Sequence, residues 1–419
     1  MSVQKCIKLI VWIPLFTGVV VFAGCSETEP DAPKPATDAQ IKHGAYMARA
    51  ADCIACHTEP GGEPYTGGLR MDTPFGPIYS PNITPDDETG IGLWTQEEFY
   101  QALHDGVGRH HKYLYPVMPF SFYTKMTRED VDAIYGYLKS LKPINRPPKR
   151  NDLRFPFNVR LTMIGWRELF FDAGTYVKDQ TKSAEWNRGA YLVEGPGHCS
   201  ACHSPRNIMG AIEEEKQFTG AEVDHWFALN ITSDLRSGIG DWSVDELAEF
   251  LRTGTNAKKT TALGPMAEVV HDSLSHLTDT DIRAMGVYLK SIKPVDTVDE
   301  TVPMEVAITS AAWRKEAALI YLDNCAACHQ AKGAGIPDVF PPLKGNPVVT
   351  ASSPDNLMQV VLKGIPKQGK YIPMPSFASR LSDQQIADVL NYVRTSWGNT
   401  AAPDVTPDML AEWRKAQSE

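Results

Sequence analysis

The chain has 419 residues, 42% hydrophobic and 22% charged, with 41 Lys and Arg against 51 Asp and Glu for a net charge of −10. That length suits two to four ordinary domains, and the mix is globular, neither disordered nor threaded repeatedly through a membrane. No basic stretch tracks a phosphate backbone, which argues against nucleic acid as a partner.

The N-terminus carries Lys5 and Lys8, an uncharged run from Leu9 to Ala23, and small residues just before Cys25. This is a secretory-signal pattern, and the run is shorter than the ~20 residues a spanning helix needs. Residues 1–25 resemble a bacterial lipoprotein signal with a lipobox, which implies cleavage and a lipid on Cys25. Phe22 departs from that pattern, where Leu is more usual, and an ordinary signal with an incidental cysteine is the alternative. Loss of residues 1–24 removes two lysines and no acids, leaving a net charge of −12. So acidic a surface suits a basic partner and gives no attraction to anionic lipid, so membrane attachment falls to the anchor. Residues 26–39, rich in Pro, Glu and Asp, read as a flexible tether.

Three domains bearing a common motif follow. Residues 40–145 open with a helical stretch containing Gly44-Ala45-Tyr46, which runs into Cys53-Ile-Ala-Cys56-His57. Residues 187–293 repeat this with Gly189-Ala190-Tyr191 and Cys199-Ser-Ala-Cys202-His203. Residues 311–399 carry Ala317, Ala318 and Tyr321 before Cys325-Ala-Ala-Cys328-His329. Each domain closes with an amphipathic helix behind a capping-box-like start, at Thr127 to Asp130, Thr278 to Asp281 and Ser382 to Gln385. Between the first two lies the interdomain segment 146–186, whose apolar stretch Phe155 to Phe171 packs between its own domains or forms a docking face for a catalytic subunit or quinone. Residues 294–310 read as a linker, and 400–419 as a polar tail without a readable role.

The first two domains also share Asn82-Ile83-Thr84 with Gly90-Ile91-Gly92-Leu93-Trp94, and Asn230-Ile231-Thr232 with Gly238-Ile239-Gly240-Asp241-Trp242. The match points to a duplication. Inside such a repeat the two sequons read better as loops over a haem edge than as glycosylation sites. Trp94 and Trp242 are expected either near a haem propionate or in the core.

Cys-x-x-Cys-His is the c-type haem attachment motif. Two thiols on one helical turn bind the porphyrin vinyl groups, and the adjacent His meets the iron. Roughly 0.004 such motifs are expected by chance in this composition, and three occur. A disulfide framework would not require His after every second Cys; a zinc site would draw a second close ligand pair. The expectation is therefore three haem c groups on Cys53, Cys56, Cys199, Cys202, Cys325 and Cys328, with His57, His203 and His329 as proximal ligands. For the opposite side of each iron, Met118, Met266 and Met374 stand in Pro-bounded loops before the last helix. The rivals are His104, His110, His111, Met126, His271, His276, Met209 and Met358, and the common fate of such a Met is core packing. The fold expected is mainly α, three tandem class I-type cytochrome c domains.

These motifs, the paired Asn-Ile-Thr and Gly-Ile-Gly blocks and the Met loops resemble the three-haem cytochrome c subunits of membrane-bound bacterial alcohol, gluconate, sorbitol and fructose dehydrogenases. The resemblance implies a large catalytic partner bearing flavin or pyrroloquinoline quinone (PQQ), with or without a small third subunit. It also implies ubiquinone or a terminal oxidase as acceptor and a lipid-anchored place on the cell membrane facing the periplasm. The chain alone is not expected to oxidise a substrate. A membrane-tethered shuttle without a fixed partner is the alternative.

Overall fold

A computed structural model describes residues 36–297, 310–367 and 371–416. The signal, Cys25, tether residues 26–35 and most of the 294–310 linker lie outside them.

In the first domain α1 (Asp38–Ala50) starts from a full capping box between Thr37 and Gln40. It ends before Asp52, whose left-handed backbone turns the chain into the short α2 (Cys53–Cys56). The two-residue strands β1 (Arg70–Met71) and β2 (Ile78–Tyr79) pair, and α3 (Gln96–His104) follows. A hairpin of β3 (Val107–Gly108) and β4 (Lys112–Tyr113) leads to α4 (Phe120–Tyr123) and α5 (Arg128–Lys139). After α6 (Thr162–Phe170), the second domain repeats the plan: α7 (Ala184–Glu194), α8 (Ser200–His203), the pair β5 (Ala221–Val223) and β6 (Trp226–Ala228), then α9 (Val244–Thr253). The hairpin β7 (Thr255–Asn256) and β8 (Thr260–Thr261) precedes α10 (Pro265–Asp272) and α11 (Asp279–Leu289). Val107 pairs with Tyr113 and Gly108 with Lys112, while Thr255 pairs with Thr261 and Asn256 with Thr260. The register is the same, and it puts Met118 and Met266 at matching positions.

The third domain comprises α12 (Ala311–Asn324), α13 (Ala326–His329), α14 (Pro347–Thr350), α15 (Asp355–Lys363), α16 (Asp383–Arg394) and α17 (Pro407–Ala416). The mainly α cytochrome c class expected from the sequence is the one observed.

In each duplicated domain the first helix crosses the last at its glycine. A β-carbon on Gly44 would lie 1.9 Å from the Ala133 carbonyl oxygen, and one on Gly189 1.9 Å from that of Ala284. Domain 3 instead presents the fully buried Ala317.

Thr127 and Thr278 cap their helices as expected, but Asp130 and Asp281 do not reach back as a capping box requires. A shorter acid is drawn elsewhere. Tyr46 donates to Asp281 at 2.5 Å and accepts from the Thr278 amide at 3.2 Å. Tyr191 donates to Asp130 and accepts from the Thr127 amide at 3.2 Å. The tyrosine of each Gly-Ala-Tyr triplet thus tethers the other domain's last helix, and one apolar core runs through both.

Domain 3 docks on domain 2 through Asn356, which donates to the Phe227 carbonyl and accepts from its amide, both at 2.8 Å. Residues 400–416 are a working part of domain 3, although their sequence reads as polar. Val405 and Leu410 are buried, and Arg394, fully buried, donates to the Ala402 carbonyl at 2.8 Å.

The 146–186 segment packs onto its own domains: Met163 and Trp166 of α6 are buried with Phe120 and Ala211, and Met118 lies against that cluster.

Candidate haem sites

Each Cys-x-x-Cys-His motif forms one helical turn directly after the first helix of its domain. None of the six motif cysteines is in a disulfide. Burial pushes the Cys53, Cys56 and Cys199 thiols up to about 12 and Cys325 to about 11. Thiols pushed up in this way lack the lowered pKa of a reactive redox pair. Among the described residues no cluster of His, Cys, Asp and Glu could hold a metal ion by itself.

The three histidines share one geometry. His57 Nδ1 lies 2.8 Å from the Pro81 carbonyl oxygen, His203 Nδ1 2.6 Å from that of Leu229, and His329 Nδ1 3.0 Å from that of Pro341. With Nδ1–H donating to a carbonyl, Nε2 is the nitrogen left to bind iron. Burial also lowers the pKa of all three, which favours the neutral imidazole that a metal requires.

Two of those carbonyls belong to the residue just before Asn82 or Asn230. Asn82 is buried: its amide donates to Thr89 at 3.0 Å and to the Ile144 carbonyl at 2.8 Å, and its oxygen accepts from the Thr84 amide at 2.9 Å. Asn230 does the same with Ser237 at 2.9 Å, Val295 at 2.8 Å and Thr232 at 2.8 Å. The Asn-Ile-Thr block is therefore a staple that holds the His-accepting carbonyl in place. Burial rules out glycosylation of either Asn. The repetition in the sequence is the signal that could have found this role, although the partners lie some 60 residues away.

Met374 lines the same apolar cavity as Cys325 and His329, and Leu263 of domain 2 helps to close it. Met118 and Met266 pack, half-buried, on the core that also carries Cys53 and Cys199. Among the rivals, Met126 and Met358 are buried in the core, Met209 is 43% exposed, and His110, His111, His271 and His276 are exposed. His104 is held by Asp105 at 2.7 Å. Trp242 is buried with Nε1 lacking a hydrogen-bond partner, whereas Trp94 is half-buried. A carboxylate on a bound group would satisfy that orphaned donor.

Sequence reasoning missed Asp52. It is 8% exposed with Oδ1 unpartnered, and burial, then the nearby Asp272 charge, push its carboxyl up to about 8.

Fold and motif turns together define a c-type cytochrome of tandem domains, which binds haem c. The family model for cytochrome c matches residues 41–142 and 315–397, and the second domain joins them as a copy of the first. The gluconate 2-dehydrogenase cytochrome c subunit of Pantoea cypripedii is 38% identical, over 97% of this chain and 95% of its own length. The fructose dehydrogenase cytochrome subunit of Gluconobacter japonicus is 36% identical over 95% and 88%. The cytochrome c subunit of the quinone alcohol dehydrogenase of Gluconobacter oxydans (strain 621H) is 38% identical over 90% and 83%. The chain belongs to this family of dehydrogenase cytochrome c subunits.

Proposed function

We propose that the chain is a three-haem electron-transfer subunit on the periplasmic face of the cell membrane, anchored by a lipid on Cys25. It takes electrons from a large catalytic subunit that oxidises an alcohol, sugar or sugar acid with flavin or PQQ, and delivers them to ubiquinone or a terminal oxidase. The observation that carries the reading is the threefold arrangement of paired cysteines with a histidine whose Nδ1 is engaged by a backbone carbonyl.

When bound, haem c supplies a one-electron iron couple, and His/Met ligation favours Fe(II) and leaves no vacant position. The chain's own residues do the holding. Cys53, Cys56, Cys199, Cys202, Cys325 and Cys328 attach the porphyrins. His57, His203 and His329 present Nε2, Met118 and Met374 supply thioethers from restrained loops, and Met266, expected on a loop, supplies its own from the first turn of α10 behind Pro265. The apolar surroundings exclude water. Nothing in this ligand set leaves room for substrate, so oxidation of the alcohol or sugar belongs to the partner.

Replacement of Met118, Met266 or Met374 singly by Ala should remove one of three Met-to-iron absorption bands, with haem content unchanged at three per chain. An unchanged spectrum refutes that ligand, and two haems per chain refutes the count. Purification of the native complex tests the partner: a large flavin- or PQQ-containing subunit should accompany this chain.

A further inference from the structure

We infer that domain 2 supplies one wall of the third haem site, and that Leu263, on the segment that leads to Met266, is a positioning residue that sets the potential of haem 3. This deepens the three-haem reading, on which it rests, by making the second and third sites share one stretch of backbone.

Domain 3 does not enclose its own site. The apolar cavity of Cys325, His329 and Met374 is finished by Thr260, Thr261 and Leu263 of domain 2. Thr260 and Thr261 are buried, and the half-buried Leu263 packs on the apolar core of domain 3. Three residues further on, Met266 packs instead on the core that carries Cys199. Leu229 repeats the arrangement on the proximal side: its carbonyl lies against His203 Nδ1, while its side chain packs on domain 3. The supports of both haem 2 ligands thus end against the haem 3 domain.

A relay of contacts holds this wall in place. Leu357, Val360 and Val361 of α15 line the haem 3 cavity, and the polar residues between them grip β6. Asn356 makes its two bonds to Phe227, and Gln359 donates to the His225 carbonyl at 2.6 Å. Trp226 of β6 lies over Gly264, where a β-carbon would sit 2.4 Å from the indole; φ there is +49°, which a side chain would strain. The Met374 loop is tied back as well, because the buried Tyr371 donates to the Asn256 carbonyl of β7 at 3.4 Å. In domain 1 the position three residues before the Met is Tyr115, which donates to the Phe157 carbonyl at 3.0 Å and packs on the α6 cluster. The same stretch is covered by the interdomain segment in one copy and closes another haem site in the other.

Ferric haem carries one more positive charge than ferrous haem, so a dry, apolar wall disfavours Fe(III) and raises the potential. Cutting Leu263 back to Ala opens the cavity from the domain 2 side and should lower it.

The test is a spectroelectrochemical titration of the full holoprotein. The steps displaced in Met266→Ala and Met374→Ala assign haem 2 and haem 3. In Leu263→Ala the haem 3 step should fall by at least tenfold in the Fe(II)/Fe(III) ratio, or 59 mV for one electron, with all Met-to-iron bands retained. Leu263→Met, which conserves volume, should restore it. Asn356→Ala, remote from both Met ligands, should lower the same step by loosening β6. An unmoved haem 3 step in both Leu263→Ala and Asn356→Ala overturns the inference, as does a shift confined to haem 2. Two haems per chain overturns the three-haem reading and the inference with it, whereas three haems with an unmoved haem 3 step overturns the inference alone.

Discussion

Replacing Gly44 by Ala tests the helix crossing on which the haem turn of domain 1 is mounted. The added β-carbon would sit 1.9 Å from the Ala133 carbonyl oxygen, 2.5 Å from its carbon and 2.9 Å from Tyr137 Cβ. Two of those atoms are helical backbone and cannot rotate aside, so α1 and α5 must separate. Overpacking by a methyl group costs about 1–3 kcal/mol, and a backbone clash this close belongs at the upper end. Alanine's better helix propensity returns about 1 kcal/mol, leaving a net loss of about 2 kcal/mol. Gly189 faces Ala284 with the same 1.9, 2.5 and 2.9 Å approaches, so Gly189→Ala should cost the same. Gly165→Ala on the exposed side of α6 meets nothing within 4 Å and should stabilise by up to about 1 kcal/mol. Thermal and denaturant unfolding of the holoproteins compares the three. A Gly44→Ala protein as stable as wild type, or a large gap between Gly44→Ala and Gly189→Ala, would refute both the crossing and its duplication.

Asp52 gives the protein a pH signature. A carboxyl raised to about 8 in the folded state keeps a proton that the unfolded chain releases near pH 4, so stability falls as pH rises between those values. Asp52→Asn should remove that fall and gain about 5 kcal/mol at pH 9 while changing little at pH 4; parallel melting curves across this range would show otherwise. Tyr46→Phe and Tyr191→Phe each remove two hydrogen bonds between domains and should cost about 1–3 kcal/mol. Their combination should loosen domain 1 from domain 2, measured as faster amide hydrogen exchange at the N-termini of α5 and α11. Arg394→Ala strands the carbonyls of Val349, Ala351 and Ala402 beside Asp404, at a cost of about 3–5 kcal/mol, and should expose the C-terminal helix to proteolysis.

Much of this architecture is legible because its chemistry is local. Two thiols and an imidazole on one turn require a fixed spacing, and Thr127, Thr278 and Ser382 announce helix starts through hydrogen bonds three residues long. What sequence could not show depends on contacts far along the chain. Asp130 and Asp281 look like ordinary first-turn acids until Tyr191 and Tyr46 arrive from the other domain. Arg394 looks like a basic residue suited to a helix C-terminus, yet it is fully buried because the tail folds over it.

Asn82 and Asn230 stand between these cases. Their repetition was visible and marked the loops as important, but a loop over a haem edge and a staple behind the proximal histidine look alike in sequence. The difference lies in the partners. Ile144 and Val295 follow the last helix of each domain, and their carbonyls fix the Asn side chain, which fixes the loop, which sets the Pro81 or Leu229 carbonyl against Nδ1. The proximal histidine is thereby oriented from the far end of its own domain. Domain 3 reaches the same orientation from Pro341, 12 residues from His329, with no Asn directly after that carbonyl; Asn346 and Asn399 hold its loop instead at the Pro342 and Leu343 carbonyls. Two different loops converging on one imidazole geometry identify the engaged Nδ1 as the requirement and the Asn-Ile-Thr block as the duplicated pair's way of meeting it.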